Sequence, residues 1–373
     1  MKTTLTAFAS LFLTVSAAAA PTPPRPVLIA ATPITGAPAG AQAWRIRYRT
    51  IGTVGRAEAT GIVVVPDGPA PTGGRDIVAW THGTTGIADA CAPSANTWKY
   101  DIIAGLPDML ARGYAVVAPD YIGLGSPGVH PFLVGPDTAH AVLDAVRAAR
   151  AVPGANTSNR FAVWGESQGG HAALWTGQLA KAYAPDLDLM GVAAAAPATD
   201  LVANIAGGTN PAVRALLTSF AAASWSGVYH VPLSTIARPA GVDLIHRLAR
   251  NCVTIDGFRL GTKIGLARMT YVLRNVDLAK SPAWGPLMRR NSVATTPVGA
   301  PLFVVQGSAD VIIAPAATRA FVGKMCRAGQ PVRFVTDGGD HVTAAKRNAA
   351  VAVGWIGDRF AGKPAPDDCA GLR

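Results

Sequence analysis

The sequence predicts an α/β fold: a mostly parallel sheet with helices on both faces, interrupted late by a helical insertion. Three observations lead there. From residue 43 onward, short apolar runs bounded by turn residues alternate with longer segments of helical period, the pattern of strands joined by crossover helices. The chain has 40 Gly and 29 Pro among 373 residues, enough punctuation for many tight turns. Hydrophobic residues make up 50% and Cys only four, so a large apolar core rather than a disulfide framework must hold the fold together.

The elements follow in order. Met1-Lys2, an apolar stretch from Leu5 to Val15 and the small residues 16–20 read as a secretory signal peptide over residues 1–19, cleaved after Ala19. Its apolar part falls short of the ~20 residues that span a bilayer, so a secreted protein without a transmembrane anchor is expected. A Pro-rich leader continues to about Pro38. Ala43 to Thr50 alternates apolar and polar residues, the period of a half-buried strand, and Glu58 to Pro66 reads as a second. Ile77 to Trp80 and Tyr114 to Pro119 are buried strands, the latter preceded by a helix ending at Arg112-Gly113. Asp137 to Arg150 has helical spacing with an acid at its start and Arg at its end, as the helix dipole prefers.

Strand Phe161 to Trp164, helix Gln168 to Tyr183 and strand Leu189 to Ala195 come next. The alternation then lapses for about 100 residues, too long for a plain loop. Helical patches at Asn210 to Ala223, Gly241 to Arg250 and Met269 to Ala279 mark residues 197–297 as an insertion over one end of the sheet. Residues 20–196 and 298–373 form the core. The core resumes with strand Pro301 to Gln306, helix Pro315 to Cys326, strand Val332 to Thr336 and helix Val342 to Arg359.

The net charge is +11, from 33 basic and 22 acidic residues. The basic residues are scattered singles and pairs such as Arg289-Arg290, so no nucleic-acid partner is expected; that role calls for a continuous basic face. Cys91, Cys252, Cys326 and Cys369 allow three pairings, of which Cys91–Cys252 with Cys326–Cys369 is favoured. The second would close a loop of roughly 40 residues and contribute about 3–4 kcal/mol in the chain-entropy treatment. None has the close spacing of a zinc or redox pair, so no metal and no cofactor is expected.

Gly165-Glu166-Ser167-Gln168-Gly169 has the G-x-S-x-G form between a strand and a helix of small residues. Such a turn holds a serine hydroxyl above the sheet at the positive end of the helix. A serine hydroxyl near neutral pH needs a base, and the base needs an orienting acid. Three histidines lie beyond the following helix: His230, His246 and His341. The first two fall in the insertion, whereas His341 follows the last strand in a Gly-rich turn and is the expected base. Asp310, just past strand 301–306, is the expected acid, with Asp337, Asp340 and Asp120 as rivals. His82 and His171 are expected to be structural. The oxyanion needs two backbone donors; these are the amide of Gln168 and one from the loop 81–86, Thr84 before Thr85 or Gly83.

Together His82-Gly83-Thr84-Thr85-Gly86, Pro119-Asp120-Tyr121-Ile122-Gly123-Leu124-Gly125, Gly165 to Gly170 and Gly307-Ser308-Ala309-Asp310 resemble the secretory lipase family, the lipase A-like branch of the α/β-hydrolase fold. The resemblance runs from about Arg45 to the C-terminus. It implies the same Ser167, Asp310 and His341 triad, supports the same two disulfides, and makes the insertion a cap that forms an acyl-binding tunnel. Fungal relatives tend to carry Tyr-Ser-Gly where this chain has Glu166-Ser167-Gln168, so the Gln168 side chain is expected to narrow the acyl entrance.

The expected function is a secreted serine carboxylic-ester hydrolase, lipase or esterase, acting on an ester or lipid substrate through an acyl-enzyme. Alternatives on the same scaffold are an aminopeptidase, an acyltransferase and a non-catalytic binding protein. An aminopeptidase needs an acid in the insertion to hold the substrate's amino terminus, and only Asp243 and Asp256 lie between Asp200 and Asp277. Leu216, Leu217, Phe220, Trp225, Val228, Leu244, Ile245 and Trp284 are read either as an acyl-binding lining or as ordinary helical core.

Overall fold

Nine strands form one sheet in the computed structural model, which describes residues 27–207, 210–253, 260–274 and 276–372. The signal-peptide segment, residues 1–19, lies outside the described residues. The strands are β1 (Leu28–Pro33), β2 (Ala41–Gly52), β3 (Gly55–Pro66), β4 (Arg75–Thr81), β5 (Ala115–Ile122), β6 (Thr157–Glu166), β7 (Asp188–Ala195), β8 (Leu302–Gly307) and β9 (Val332–Asp337). Their order is β1-β2-β3-β5-β4-β6-β7-β8-β9. The β1–β2, β2–β3 and β3–β5 pairs are antiparallel and every later pair is parallel.

The chain runs outward from β4 to β5, then crosses back to β6 on the other side of β4. Loops leaving the carboxyl ends of β4 and β6 therefore diverge over a crevice, the usual ligand position in such sheets.

The helices are α1 (Leu106–Ala111), α2 (Gly135–Arg150), α3 (Gln168–Tyr183), α4 (Leu201–Gly207), α5 (Pro211–Tyr229), α6 (Pro239–Ala249), α7 (Leu260–Val272), α8 (Gly285–Asn291), α9 (Pro315–Arg327), α10 (Ala344–Arg347) and α11 (Ala349–Phe360). One sheet face is covered by α2, α3 and α9 through residues such as Val142, Ala173 and Phe321. The other is covered by α1 and α11 through Met109, Val353 and Ile356. Val63, Val78, Val117 and Val163 point into these two layers and are inaccessible to solvent, as expected of strands buried on both sides. In β2, by contrast, Ile46 and Tyr48 are buried and alternate with exposed Arg45, Arg47 and Arg49.

Three elements differ from expectation. The leader to Pro38 contains β1, which pairs only with β2; its small and Pro-flanked residues show no alternation. The last helix starts later and breaks at Asn348, whose amide donates to Asp337 Oδ2 and to the Ala344 carbonyl, both at 2.9 Å. The helix expected over 269–279 ends at Val272, and Asp277 closes a turn by accepting from the Ala279 amide at 3.1 Å.

Helices α4 to α8 lie between β7 and β8 and share a third apolar cluster. Leu216, Phe220, Trp225, Val228, Leu244, Ile245 and Trp284 are packed in its interior. For most of them the plain core reading therefore holds. The structure pairs Cys91 with Cys252 and Cys326 with Cys369.

Candidate active site

The turn at Ser167 is built by close contact between β4 and the start of α3. Ser167 sits at φ 55°, ψ −117°, a strained conformation for a residue with a side chain. Its amide donates to the Ala195 carbonyl at 2.9 Å and its carbonyl accepts the first α3 bond from His171 at 3.0 Å. Two glycines make room for this. A methyl on Gly165 would lie 1.9 Å from Thr81 Oγ1, and one on Gly169 would lie 1.9 Å from the Thr81 carbonyl oxygen.

Ser167, His341 and Asp310 come together at this edge of the sheet. His341 Nε2 lies 2.9 Å from Ser167 Oγ, and its Nδ1 lies 2.8 Å from Asp310 Oδ2. A carboxylate only accepts, so Nδ1 carries the hydrogen and Nε2 presents its lone pair to the serine hydroxyl. Asp310 is further held by the amides of Ile312 and Ile313 on Oδ1, both at 2.8 Å, and by Gln306 Nε2 on Oδ2 at 2.9 Å. Burial opposes ionisation of Asp310, but the bonds from His341, Ile313 and Ile312 prevail and hold its pKa below the ordinary carboxylate value.

The rivals are engaged elsewhere. Asp337 accepts from Gly339, Arg347 and Asn348, and Asp340 accepts from the Thr343 hydroxyl and amide. Asp120 is buried, with Thr60 Oγ1 at 2.7 Å and the Ser94 amide at 2.8 Å. His82 donates from Nδ1 to the Gly83 carbonyl, and His171 donates from Nε2 to the Asn291 carbonyl at 2.7 Å. His230 and His246 are exposed on the α5 end and α6. So is Asp243, whereas Asp256 lies outside the described residues.

In the 81–86 loop Thr84 is half-buried and Thr85 buried, and the Thr85 carbonyl accepts from the Val253 amide at 2.8 Å. The loop faces the turn: a methyl on Gly83 would sit 3.5 Å from the Glu166 carboxyl. Gln168 corrects one expectation. Its side chain does not lie in an entrance but turns inward, 2% exposed, with Nε2 3.0 Å from His130 Nε2. Neither the His130 ring nor the Glu166 carboxyl stands out from the sequence as a functional group. Burial pushes the Glu166 carboxyl up to about 7 against the lowering effect of the His341 and Lys346 charges. No local spacing marks either residue; their importance depends on neighbours distant in sequence.

An apolar slot opens between α4, α5 and the loop that follows β8. Ala198, Leu133, Leu201, Leu217, Trp225 and Ile313 line a cavity of about 60 Å³. The Ala198 amide donates to the Ser167 main-chain carbonyl at 3.4 Å, and Ile312 and Ile313 hold Asp310, so the slot neighbours the segments that carry the triad, although none of the three triad side chains lines it.

Known proteins share this architecture. The chain is 26% identical over 342 residues to a Mycobacterium tuberculosis protein named a probable inactive lipase, covering 87% of this chain and 75% of that one. It is 28% identical over 273 residues to Lipase 5 of Candida albicans, covering 70% of this chain but only 58% of the relative's length. The crystal structure of Candida antarctica lipase A superposes with a TM-score of 0.74 at 18% identity, over 92% of this chain and 84% of that one. The fold is thus that of the α/β-hydrolases. Residues 94–368, which take in β5 to β9 and the helices between them but not β1 to β4, match the secretory lipase family, and the chain belongs to that family.

Proposed function

We propose that this chain is an exported serine hydrolase of carboxylic esters, with Ser167 as nucleophile, His341 as base and Asp310 as its orienting acid. The observation that carries the reading is the unbroken run of two hydrogen bonds, 2.9 and 2.8 Å, from Ser167 Oγ through His341 to Asp310.

In this reading Ser167 Oγ attacks the ester carbonyl as His341 Nε2 takes its proton. The oxyanion is received by the amides of Gln168 and Thr84, each worth ~3–4 kcal/mol in the transition state. His341 returns the proton to the departing alcohol, leaving an acyl-Ser167 ester. Water, deprotonated by the same imidazole, then releases the acid. Asp310 stays ionised and stabilises the imidazolium. The low pKa of Asp310 suits that role.

Residues 197–297 are read as a cap, and the slot beneath it as the acyl site. Its small volume, about 60 Å³, and its apolar lining favour short acyl esters. Export is supported by the two disulfides, which form in oxidising compartments.

The test is fluorophosphonate labelling together with hydrolysis of p-nitrophenyl butyrate. Wild type should label and turn over, and Ser167→Ala should do neither while its Tm stays within a degree or two. Folded wild type that neither labels nor hydrolyses would instead place the chain with non-catalytic relatives.

A further inference from the structure

His130 is 1% exposed and bonded on both sides of its ring. Its Nδ1 lies 2.9 Å from the Ile122 carbonyl. A carbonyl only accepts, so Nδ1 carries the hydrogen. Burial, opposed by the Ile122 bond and assisted by His82, lowers the imidazole pKa to about 3. The ring is therefore neutral, and Nε2 is a bare acceptor. Gln168 Nε2 lies 3.0 Å from it and must be the donor. This fixes the orientation of the Gln168 amide, since its oxygen cannot face that nitrogen. Gln168 directly follows Ser167, so the anchored side chain and the proposed oxyanion amide belong to one residue.

The backbone of His130 is held just as firmly from the insertion. The Ser224 hydroxyl of α5 donates to the His130 carbonyl at 2.6 Å and accepts from the Phe132 amide at 2.9 Å. Trp225, the next residue, donates from its indole to the Phe132 carbonyl at 2.8 Å. The ring itself packs between Tyr121 and Phe132, with centroids 6.0 and 6.2 Å away. A continuous run of bonds thus joins α5 to the residue after the nucleophile.

We propose that His130 is a positioning residue, which by anchoring the Gln168 side chain aims the Gln168 amide at the oxyanion and ties that aim to the seating of α5. The inference rests on the reading of Ser167 as nucleophile. Gln168 then needs its length and its amide for reasons the oxyanion hole alone does not impose, because any residue supplies the main-chain N–H.

Two variants test it. Gln168→Met keeps the main-chain N–H and the side-chain length but loses the donor; His130→Phe keeps the ring but loses the acceptor. Removing a whole oxyanion donor costs about 10²–10³ in kcat, so misaiming one should lower kcat on p-nitrophenyl butyrate by about 10- to 100-fold, with KM within about twofold. The double variant should be no slower than the worse single one, because each removes the same bond. Affinity for a boronic acid mimic of the tetrahedral adduct should fall in step with kcat. Gln168→Met with kcat within about twofold of wild type, or a KM rise at unchanged kcat, would overturn the proposal; this arm stands even if His130→Phe does not fold. Wild-type turnover that survives Ser167→Ala would overturn the reading of the nucleophile and the proposal with it, whereas Ser167-dependent turnover with an indifferent Gln168→Met overturns the proposal alone.

Discussion

Thr81 and Gly169 lock the end of β4 against the start of α3: the Thr81 hydroxyl donates to the Gly169 carbonyl at 2.8 Å, and a methyl on Gly169 would lie 1.9 Å from the Thr81 carbonyl oxygen. The atoms that methyl would meet, the Thr81 and His82 carbonyls, are backbone and cannot swing aside. Gly169→Ala must push the nucleophile's turn off β4, and overpacking of this kind costs ~1–3 kcal/mol or more. The expected outcome is a loss of kcat/KM of at least ~100-fold on short esters, larger than the fall in Tm explains, because the 81–86 loop moves with Thr81. Activity assays beside thermal melts check it. Near-normal turnover would mean the loop and the turn are not rigidly coupled.

Asp310 contributes in two ways, and Asp310→Asn separates them. An amide can present its N–H to His341 Nδ1 and select the wrong tautomer, so kcat should fall by ~10³–10⁴. Stability follows a different course. The folded-state pKa of Asp310 is depressed, so its contribution is present above the unfolded carboxylate value and is lost as pH falls through the lower, folded one. The variant should therefore melt below wild type at pH 7, and the gap should close on acidification below the ordinary carboxylate pKa. A pH-independent gap would assign the loss to packing.

Glu166 has the opposite sign. Burial raises its pKa from 4.5 to about 7. Below 4.5 the carboxyl is protonated folded or unfolded. Between there and 7 the unfolded chain releases a proton that the folded chain keeps, so stability falls as pH rises and stays lower above 7. Glu166→Gln removes the titration. It should match wild type near pH 4.5 and melt several degrees higher at pH 8, consistent with a penalty on the order of 3 kcal/mol. Equal melting at pH 8 would mean the carboxylate is solvated where it stands.

What was legible in the sequence is what short-range chemistry dictates. Gly165 and Gly169 flank Ser167 in a five-residue pattern that is plain in the sequence, although the neighbour that demands them is Thr81 of β4, and Asp310 and His341 each directly follow the end of a strand whose apolar run is plain. The resemblance and the residues led to the same three side chains. Illegible were the relations between distant segments. His130 meets Gln168 across 38 positions, and nothing local marks either side chain as half of a bond. The strand β1 is an edge whose small residues carry no alternation. The helices α4 and α8 have seven residues each, too few for a 3.6-residue period to stand out. The inward turn of Gln168 was missed for the same reason: a side chain's length can be read from sequence, but its direction is set by its acceptor.

The Cys326–Cys369 bond spans 43 positions and joins the end of α9 to the C-terminal tail. The tail is also held by Asp368, which accepts from the Phe334 amide at 2.8 Å and from Arg333 Nη1 at 3.0 Å on the edge strand β9. A loop of this length is worth about 3–4 kcal/mol in the chain-entropy treatment. Replacing both cysteines by Ala should lower Tm by roughly 4–6 °C while leaving kcat near wild type. A large fall in kcat at temperatures where the variant remains folded would show that β9, which precedes His341, depends on the staple for its position.

Acyl length follows from the slot beside Ser167. Each methylene that enters an apolar site gains about 0.8 kcal/mol, roughly fourfold in kcat/KM, until the space is full. With only about 60 Å³ available, the gain should stop after a few groups, well short of a long acyl chain. Along p-nitrophenyl esters from C2 to C16, kcat/KM should therefore climb to a maximum among the shorter chains and then level or fall. Leu217 is the lining residue to change. It is half-buried on α5, whereas Trp225 is committed to the bond with Phe132. Leu217→Ala removes three carbons from the wall and should move the maximum toward longer chains by about one to three methylenes, with little effect on the acetate ester. A profile that rises steadily to C16 in wild type, or an optimum that ignores Leu217→Ala, would mean that the acyl chain leaves Ser167 by another route.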